Sequence, residues 1–369
     1  MAQNARNFLI SGLLLAALPM AAYADSVVTV FSSGYAAPET ITPVPDGFGT
    51  VGGTLLVPDK TANALYTMPA GGGAPTLFAS GVGGNGGAFL PSSFGVFGGD
   101  YLATANISGP QIVAVNGTGG QTTITVPSTD FATGGAVVAP AGFGSVAGDA
   151  LIGAENGAGF DTGVVLALNS AGDISQFASL GTGGVAGYLL PFGIGFAPAG
   201  FGSVGGDLLV TDGVSGTIYA VNSSGFVSVF ATGSVPTIGG GQFAGLRQFA
   251  FAPAGYGNYS GDLFVSVSGS QYGGGTSGSV DVLNSAGALV AVLLQGAVGS
   301  PFDPRGLYFS SDTQLLIADT DPSILSAPAA AFTATPEPSS MLPLALGLAG
   351  IVAASRRARK AQLVMRRKV

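Results

Sequence analysis

The stretch FAPAGFGSVGGDLLVTDGVSGTIYAVNSSGFVSVFATG at 196–233 contains the unit from which most of this chain is built. Its three short apolar runs, LLVTD, TIYAV and FVSVF, are separated by glycine, serine and asparagine clusters that are typical of tight turns. A fourth run, GIGFAP at 193–198, leads into the stretch. The pattern therefore predicts a unit of four short β-strands.

This unit recurs along the chain. The entry loop and second strand reappear at 46–59, 92–105, 140–155 and 253–268, and a degenerate copy lies at 305–319. The residue before each LLV-type strand marks a period of about fifty residues, which suits a four-stranded propeller blade and is too long for a solenoid coil. The six markers are Thr54, Asp100, Asp149, Asp207, Asp262 and Gln314.

The two ends of the repeat region supply complementary parts of one unit. Segment 27–34, VVTVFSSG, matches the last strand of the quoted stretch, whereas the sixth copy supplies strands at 306–309, 314–319 and 323–328 and then stops. An N-terminal strand that joins three C-terminal strands would close a ring of blades. The predicted fold is therefore all-β, a six-bladed β-propeller of four-stranded blades.

The order of these strand sequences resembles the six-bladed propellers of the NHL and gluconolactonase-like group. The resemblance lies in G-[IL]-x-F, LLVTD or LLIAD, G-T-I-Y-A-V-N and V-x-V-F-A, and it covers about 27–328. It implies the propeller fold. Lactonases of this architecture hold a divalent cation on oxygen ligands in the central channel, so the resemblance also keeps a Ca²⁺ site and a lactonase-like activity open.

Composition excludes several kinds of chemistry. The chain has no cysteine and no histidine, which excludes disulfides, thiolate nucleophiles, Ser-His-Asp triads and the usual zinc sites. Between positions 25 and 335, eighteen acidic side chains face only three basic ones, Lys60, Arg247 and Arg305. Such an acidic body repels nucleic acid, so no nucleic-acid partner is expected.

The N-terminus predicts export. Arg6 precedes an apolar run at 8–18, and Ala22-Tyr23-Ala24 provides a small-x-small site for signal peptidase. Residues 1–24 are therefore interpreted as a cleaved signal peptide, with a retained N-terminal anchor as the alternative. The propeller is expected at 25–332.

The C-terminal region 333–369 has three parts in a fixed order. A PEP motif, Pro336-Glu337-Pro338, is followed by an apolar segment at 341–355, predicted to be a single transmembrane helix, and then by a basic stop-transfer cluster that includes Arg356, Arg357, Arg359 and Lys360. The pattern resembles a PEP-CTERM sorting signal. The resemblance implies a Gram-negative host, a transient anchor in the inner membrane, and processing by exosortase to the cell surface or extracellular matrix. A permanent tail anchor is the alternative.

Two sets of charged residues are candidates for a site. Asp59, Asp212 and Asp319 follow second strands, with Glu155 nearby in the third unit, and we expect them at one channel mouth as ligands for Ca²⁺ or as a solvated rim. No other cofactor is expected. Arg247 and Arg305 precede first strands at equivalent places and form a candidate clamp for a carboxylate or uronic acid. The alternative is that they pair with acidic neighbours such as Asp303 or Asp319.

Two repeated positions have structural interpretations. The entry-loop aromatics are expected to pack between blades rather than to stack on a sugar; they are Phe48, Phe94, Phe143, Phe201 and Tyr256. The marker aspartates are expected to belong to turns rather than to a ring of metal ligands. Three functions remain open: a surface or matrix protein that binds polysaccharide or protein without catalysis, a metal-dependent lactonase-like hydrolase, and a structural component of a biofilm.

Overall fold

The computed structural model describes residues 28–105, 111–126, 130–156, 162–182, 189–232, 245–269, 278–295, 302–311 and 313–332. These residues form six antiparallel four-stranded sheets, which are the blades of a propeller within the unit Val27–Ala329. Of the second unit, Met1–Ser26 with Ala330–Val369, only 330–332 are described. The predicted signal peptide and the predicted C-terminal transmembrane helix both lie outside the described residues.

The strands are numbered in chain order, beginning with β1 (Thr29–Ser33). Blade 1 contains β2 (Thr42–Pro43), β3 (Leu55–Asp59), β4 (Ala64–Met68) and β5 (Thr76–Ser80). Blade 2 contains β6 (Gly84–Phe89), β7 (Tyr101–Ala105), β8 (Gln111–Val115) and β9 (Gln121–Thr125). Blade 3 contains β10 (Asp130–Val138), β11 (Ala150–Asn156), β12 (Thr162–Leu168) and β13 (Ile174–Thr182).

Blade 4 contains β14 (Pro191–Phe196), β15 (Leu208–Asp212), β16 (Thr217–Val221) and β17 (Val227–Thr232). Blade 5 contains β18 (Gly245–Phe251), β19 (Leu263–Ser268), β20 (Ser279–Leu283) and β21 (Leu289–Gln295). Blade 6 contains β22 (Pro304–Ser311), β23 (Gln314–Asp319), β24 (Ser323–Pro328) and, as its outer strand, β1. Short 3₁₀ helices lie at Gly95–Phe97, Gly144–Val146, Gly202–Val204, Gly257–Tyr259 and Ala329–Phe332.

The N-terminal strand closes the ring. Strand β1 pairs with β24 in antiparallel register, with Thr29 opposite Ser326 and Ser33 opposite Ser323. The three C-terminal strands predicted for the last unit are β22, β23 and β24. The predicted six-bladed, all-β propeller with a shared last blade is therefore confirmed.

Burial across a blade follows strand position. In blade 4 all five residues of β15 are buried, whereas the outer strand β17 has three exposed residues among its six. The turn between β16 and β17 depends on Asn222, whose side-chain oxygen accepts hydrogen bonds from the backbone N–H groups of Ser224 (2.9 Å) and Phe226 (3.1 Å). Gly225 completes the turn at φ 83°, a conformation that favours glycine. Local turn chemistry thus sets where each strand ends.

The entry-loop aromatics pack between blades, as the sequence predicted. Phe143 contacts Phe196 of the next blade with ring centroids 4.8 Å apart, and Phe201 contacts Phe251 at the same distance. Across the last junction Tyr256 contacts Phe309 of blade 6 at 4.7 Å. Its hydroxyl also donates to the backbone oxygen of Ala327 (3.1 Å). Edge-on aromatic contacts thus join neighbouring blades.

The marker aspartates close the entry loops. In blade 4 the backbone oxygen of Asp207 accepts from the N–H of Ala197 (2.9 Å), and its own N–H donates to the oxygen of Val204 (3.0 Å). Partial burial raises the pKa of all four carboxyls, Asp100, Asp149, Asp207 and Asp262. Their placement supports the turn interpretation, since each one ends a loop and begins a second strand.

Candidate functional site at the channel mouth

Six polar residues from five blades interact around Lys60, four of them through electrostatic effects on its ammonium group and one through a hydrogen bond, and we call the six the charged mouth. They are Glu39 and Lys60 of blade 1, Asn85 of blade 2, Glu155 of blade 3, Arg247 of blade 5 and Arg305 of blade 6. The first strands position them, since β6, β18 and β22 are the innermost strands of their blades and carry Asn85, Arg247 and Arg305. The charged mouth therefore contains every basic side chain of the predicted propeller.

Lys60 links these residues electrostatically. Its ammonium Nζ donates a hydrogen bond to the side-chain oxygen of Asn85 (3.2 Å). Burial lowers the pKa of Lys60; the nearby carboxylate of Glu39 opposes this effect, and the guanidiniums of Arg247 and Arg305 reinforce it. Both predicted arginines therefore lie within electrostatic range of one amine.

Arg305 forms an ion pair within its own blade. Its Nη2 donates to Oδ2 of Asp303 at 2.7 Å. Asp303 is 2% exposed and also accepts hydrogen bonds from the backbone N–H of Gly269 (3.1 Å) and the hydroxyl of Thr320 (3.1 Å). The pairing with Asp303 that the sequence left open is thus present, and it holds one end of the guanidinium in place.

Arg247 is held differently. Its side chain is 2% exposed, and the guanidinium carbon lies 3.9 Å from the ring centroid of Phe192 in blade 4. This is the geometry of a cation–π contact, which is strong when the cation is desolvated. Stacking on a blade 4 side chain fixes the plane of the guanidinium beside the channel.

Two hydroxyl groups fix the backbone at both arginines. Thr211 of blade 4 donates to the carbonyl oxygen of Arg247, and Ser266 of blade 5 donates to that of Arg305 (2.7 Å). In each case the hydroxyl belongs to the second strand of the preceding blade. The two arginines therefore occupy equivalent, cross-braced positions in adjacent blades.

The first of the predicted metal ligands, Asp59, caps its own loops. Its buried carboxylate accepts hydrogen bonds from the backbone N–H groups of Ala36 (2.6 Å), Ala37 (3.0 Å) and Ala62 (2.8 Å). These three donors use most of the lone pairs that a cation would need. Through these hydrogen bonds the carboxylate connects the segment after β1 with the turn after β3.

Asp212 and Asp319 have similar roles. Asp212 accepts from the backbone N–H groups of Leu190 (2.8 Å) and Ser215 (2.9 Å), among others, and from the Ser215 hydroxyl. Asp319 accepts from the N–H groups of Asp303 (2.9 Å) and Asp321 (3.3 Å), and burial raises its pKa to about 6. Each carboxylate thus forms hydrogen bonds with backbone N–H groups of its own blade.

A divalent-cation site does not fit these contacts well. Among the residues that the structure describes, no three His, Cys, Asp or Glu side chains are grouped so that they could hold a metal ion. The assignment of Asp59, Asp212 and Asp319 as Ca²⁺ ligands stays a prediction, and their backbone partners argue for a structural role.

Sequence reasoning missed Glu39 and Asn85 and gave Lys60 no role. Glu39 and Asn85 lie on innermost segments whose sequences vary from blade to blade, so no repeat marks them. The sequence could have indicated Lys60, because it is one of three basic residues in the propeller region. That these residues interact could not be predicted from the sequence, since they come from separate blades.

Comparison with known proteins identifies the C-terminal signal. Residues 334–357 match the PEP-CTERM protein-sorting motif. This motif indicates an exported protein with a transient C-terminal membrane anchor, which exosortase processes to the cell surface. Within the described part of the chain, no helix has the length and hydropathy of a membrane span. No curated protein gave a significant match to the chain.

Solved structures share the fold at low sequence identity. A gluconolactonase from Xanthomonas campestris is 15% identical, with a TM-score of 0.53 over 82% of this chain and 89% of its own. Regucalcin, a calcium-binding protein from Agrobacterium tumefaciens, is 14% identical, with a TM-score of 0.52 over 81% and 95%. A Bacteroides thetaiotaomicron protein of unknown function is 11% identical, with a TM-score of 0.54 over 82% and 75%. These similarities show the propeller fold alone.

Proposed function

We propose that this protein is an exosortase-sorted surface or matrix protein whose charged mouth binds a carboxylate-bearing extracellular polysaccharide without catalysis. One observation carries the proposal: Lys60 lies within electrostatic range of both Arg247 and Arg305, so the basic side chains of an otherwise acidic body interact at one mouth. Three cations from three blades, with Glu39 and Glu155 beside them, provide fixed positive charges that can orient a small anion better than scattered cations can.

The positions of the two guanidinium groups favour binding of a single carboxylate over binding of an extended anionic surface. Arg247 and Arg305 present planar donors at fixed positions, because Phe192 and Asp303 hold their guanidiniums. Planar guanidinium groups match the two oxygens of a carboxylate, and Lys60 adds a compact charge beside them. The wider acidic body repels long polyanions that would lie across the blades, which favours insertion of one residue or chain end at the mouth.

Export to the cell surface, which the sorting motif indicates, supports a ligand of this kind. A protein released to the cell surface lies among extracellular polysaccharides, and uronic acids are their common carboxylate-bearing units. A surface protein with exposed carboxylates is a second ligand that the charged mouth could bind through the same interactions. A purely structural matrix role would leave the convergence of the cations without a purpose.

The alternative function is a lactonase-like hydrolase. It is supported by the fold shared with a gluconolactonase and by an amine of lowered pKa, Lys60, in electrostatic range of two glutamates. A lactonase of this kind would use channel carboxylates and Ca²⁺, and the predicted ligands would be Asp59, Asp212 and Asp319. Their existing hydrogen bonds to backbone make this the weaker proposal.

A binding experiment tests the proposal. Mature protein recovered from the host envelope is titrated with a uronic-acid oligosaccharide by calorimetry, beside the variants Lys60→Gln with Arg305→Gln and the exposed control Asp46→Asn. We expect the double variant to bind at least tenfold more weakly, because charge-assisted hydrogen bonds contribute roughly 1.5–3 kcal/mol each. Binding that is equal in the double variant would refute the charged mouth as the site. Turnover of a lactone that requires Ca²⁺ would favour the alternative.

A further inference from the structure

The junction between blade 6 and blade 1 is a tight backbone contact at the charged mouth. A Cβ atom added to Gly306 would lie 2.6 Å from the carbonyl oxygen of Glu39 and 2.7 Å from Cα of Thr40. Only glycine permits this approach. We call Glu39, Thr40, Arg305 and Gly306 the seam, because the first and last blades of the ring meet there.

The seam contains more polar groups than it satisfies. Glu39 is 5% exposed, yet its carboxylate accepts no hydrogen bond from any described residue. The Thr40 hydroxyl and the Nε of Arg305 are buried and likewise have no hydrogen-bond partner within the described segments. Arg305 uses one of its five N–H donors, to Asp303.

Unsatisfied buried groups of this kind are rare in folded proteins and call for a specific explanation. A buried polar group without a partner costs its desolvation free energy, which applies here to the Thr40 hydroxyl and to Nε of Arg305. The Glu39 carboxylate, which accepts no hydrogen bond from a described residue, and the unused donors of Arg305 lie on the two backbones that Gly306 brings together. A molecule with both an acceptor and a donor would satisfy both.

We infer that the seam binds a uronate residue through both its carboxylate and a ring hydroxyl. In this arrangement the uronate carboxylate accepts from Arg305 and Lys60, and a ring hydroxyl of the same sugar donates to Glu39. This inference rests on the proposed function and adds specificity to it: the cations attract any carboxylate, and Glu39 selects one that carries a hydroxyl donor beside it. A carboxylate polymer without hydroxyls would instead be repelled by Glu39.

The substitution Glu39→Gln distinguishes two roles of Glu39, acceptance of a hydrogen bond from a sugar hydroxyl and repulsion of other carboxylates. Loss of the first role weakens binding, whereas loss of the second strengthens it. Calorimetry on the mature protein compares two probes, trigalacturonate and a short polyacrylate of similar charge. We expect Glu39→Gln to weaken trigalacturonate binding roughly tenfold, because a charge-assisted hydrogen bond is lost. The same substitution should leave polyacrylate binding equal or stronger, because a repulsive charge is removed.

The control Asp46→Asn removes one negative charge at an exposed position and should change neither titration. Equal strengthening of both probes by Glu39→Gln, or no change in either, would overturn the inference while leaving the proposed function intact. Failure of the unmodified protein to bind either probe would instead overturn the proposed function. Melting temperatures of each variant, measured without ligand, separate loss of binding from loss of folding.

Discussion

Asp281 provides a direct test of the blade packing. It lies in the middle of β20, opposite Val265 and Val292, and is completely buried. Neither carboxylate oxygen has a hydrogen-bond partner among the described residues. The same register position is a tyrosine, Tyr66 or Tyr219, in two other blades. The face of β20 that carries Asp281 belongs to the apolar cluster between blades 4 and 5, to which Val265 and Leu283 contribute.

Burial raises the pKa of Asp281 to about 6, with Ser279 acting in the opposite direction. Because the folded state holds the proton more tightly than the unfolded chain, this carboxyl destabilises the fold as the pH rises from about 4 to about 6. The full penalty, present above pH 6, is roughly 3 kcal/mol. About one pH unit below 4 both states are largely protonated and the penalty disappears.

The perturbation is Asp281→Asn, which keeps the shape and cannot ionise. We expect the free energy of unfolding of the variant, measured by urea denaturation, to gain about 2.5 kcal/mol relative to the natural protein between pH 4 and pH 7.5. Comparing the variant with the natural protein at each pH cancels the titration of Asp319, and taking the difference between the two pH values cancels any pH-independent cost of the amide. A stability difference that is the same at both pH values would refute the burial of an unpaired carboxylate at this interface.

Three further outcomes are expected. Tyr256→Phe removes the hydrogen bond to Ala327 across the junction of blades 5 and 6 and should lower the free energy of unfolding by about 1 kcal/mol, measured by urea denaturation; an unchanged value would show that this bond contributes nothing to the junction. Asp212→Asn should destabilise the fold by roughly 2 kcal/mol through weakened loop capping; a Ca²⁺-induced rise in melting temperature that this variant abolishes would instead support the metal prediction. Glu337→Ala, in the matched sorting motif, should leave the C-terminus uncleaved in an intact-mass measurement, and normal processing would contradict the assigned motif.

The sequence was sufficient to predict the fold because its repeats show where each strand and turn lies, and these positions depend on local sequence. Turn residues and buried strands recur about every fifty residues, and the strand LLVTD predicted at 208–212 is β15 as observed. The match of 27–34 to an outer strand likewise predicted the closure through β1. The first strand of the same blade was displaced by two residues, since GIGFAP at 193–198 was expected and β14 is Pro191–Phe196.

The site was less predictable because it depends on contacts between blades. Equivalent sequence positions indicated that Arg247 and Arg305 are neighbours, but nothing local marks Glu39 or Asn85 as their companions. The hydrogen bonds of Asp212 give a structural reason for an acidic residue at the end of a second strand: the backbone N–H groups of neighbouring loops bind its carboxylate. Two long inter-strand loops, at 154–164 and 267–279, lie partly outside the described residues.

The antiparallel closure by β1 also has a mechanical consequence. Thr29, at the start of β1, lies opposite Ser326, near the end of β24, so both chain ends leave the blade from the same end of this strand pair. Tension between the two termini would therefore peel β1 away one hydrogen bond at a time instead of shearing all of them together. The closure is therefore weaker against a force applied between the two termini than against a force that would slide β1 along β24.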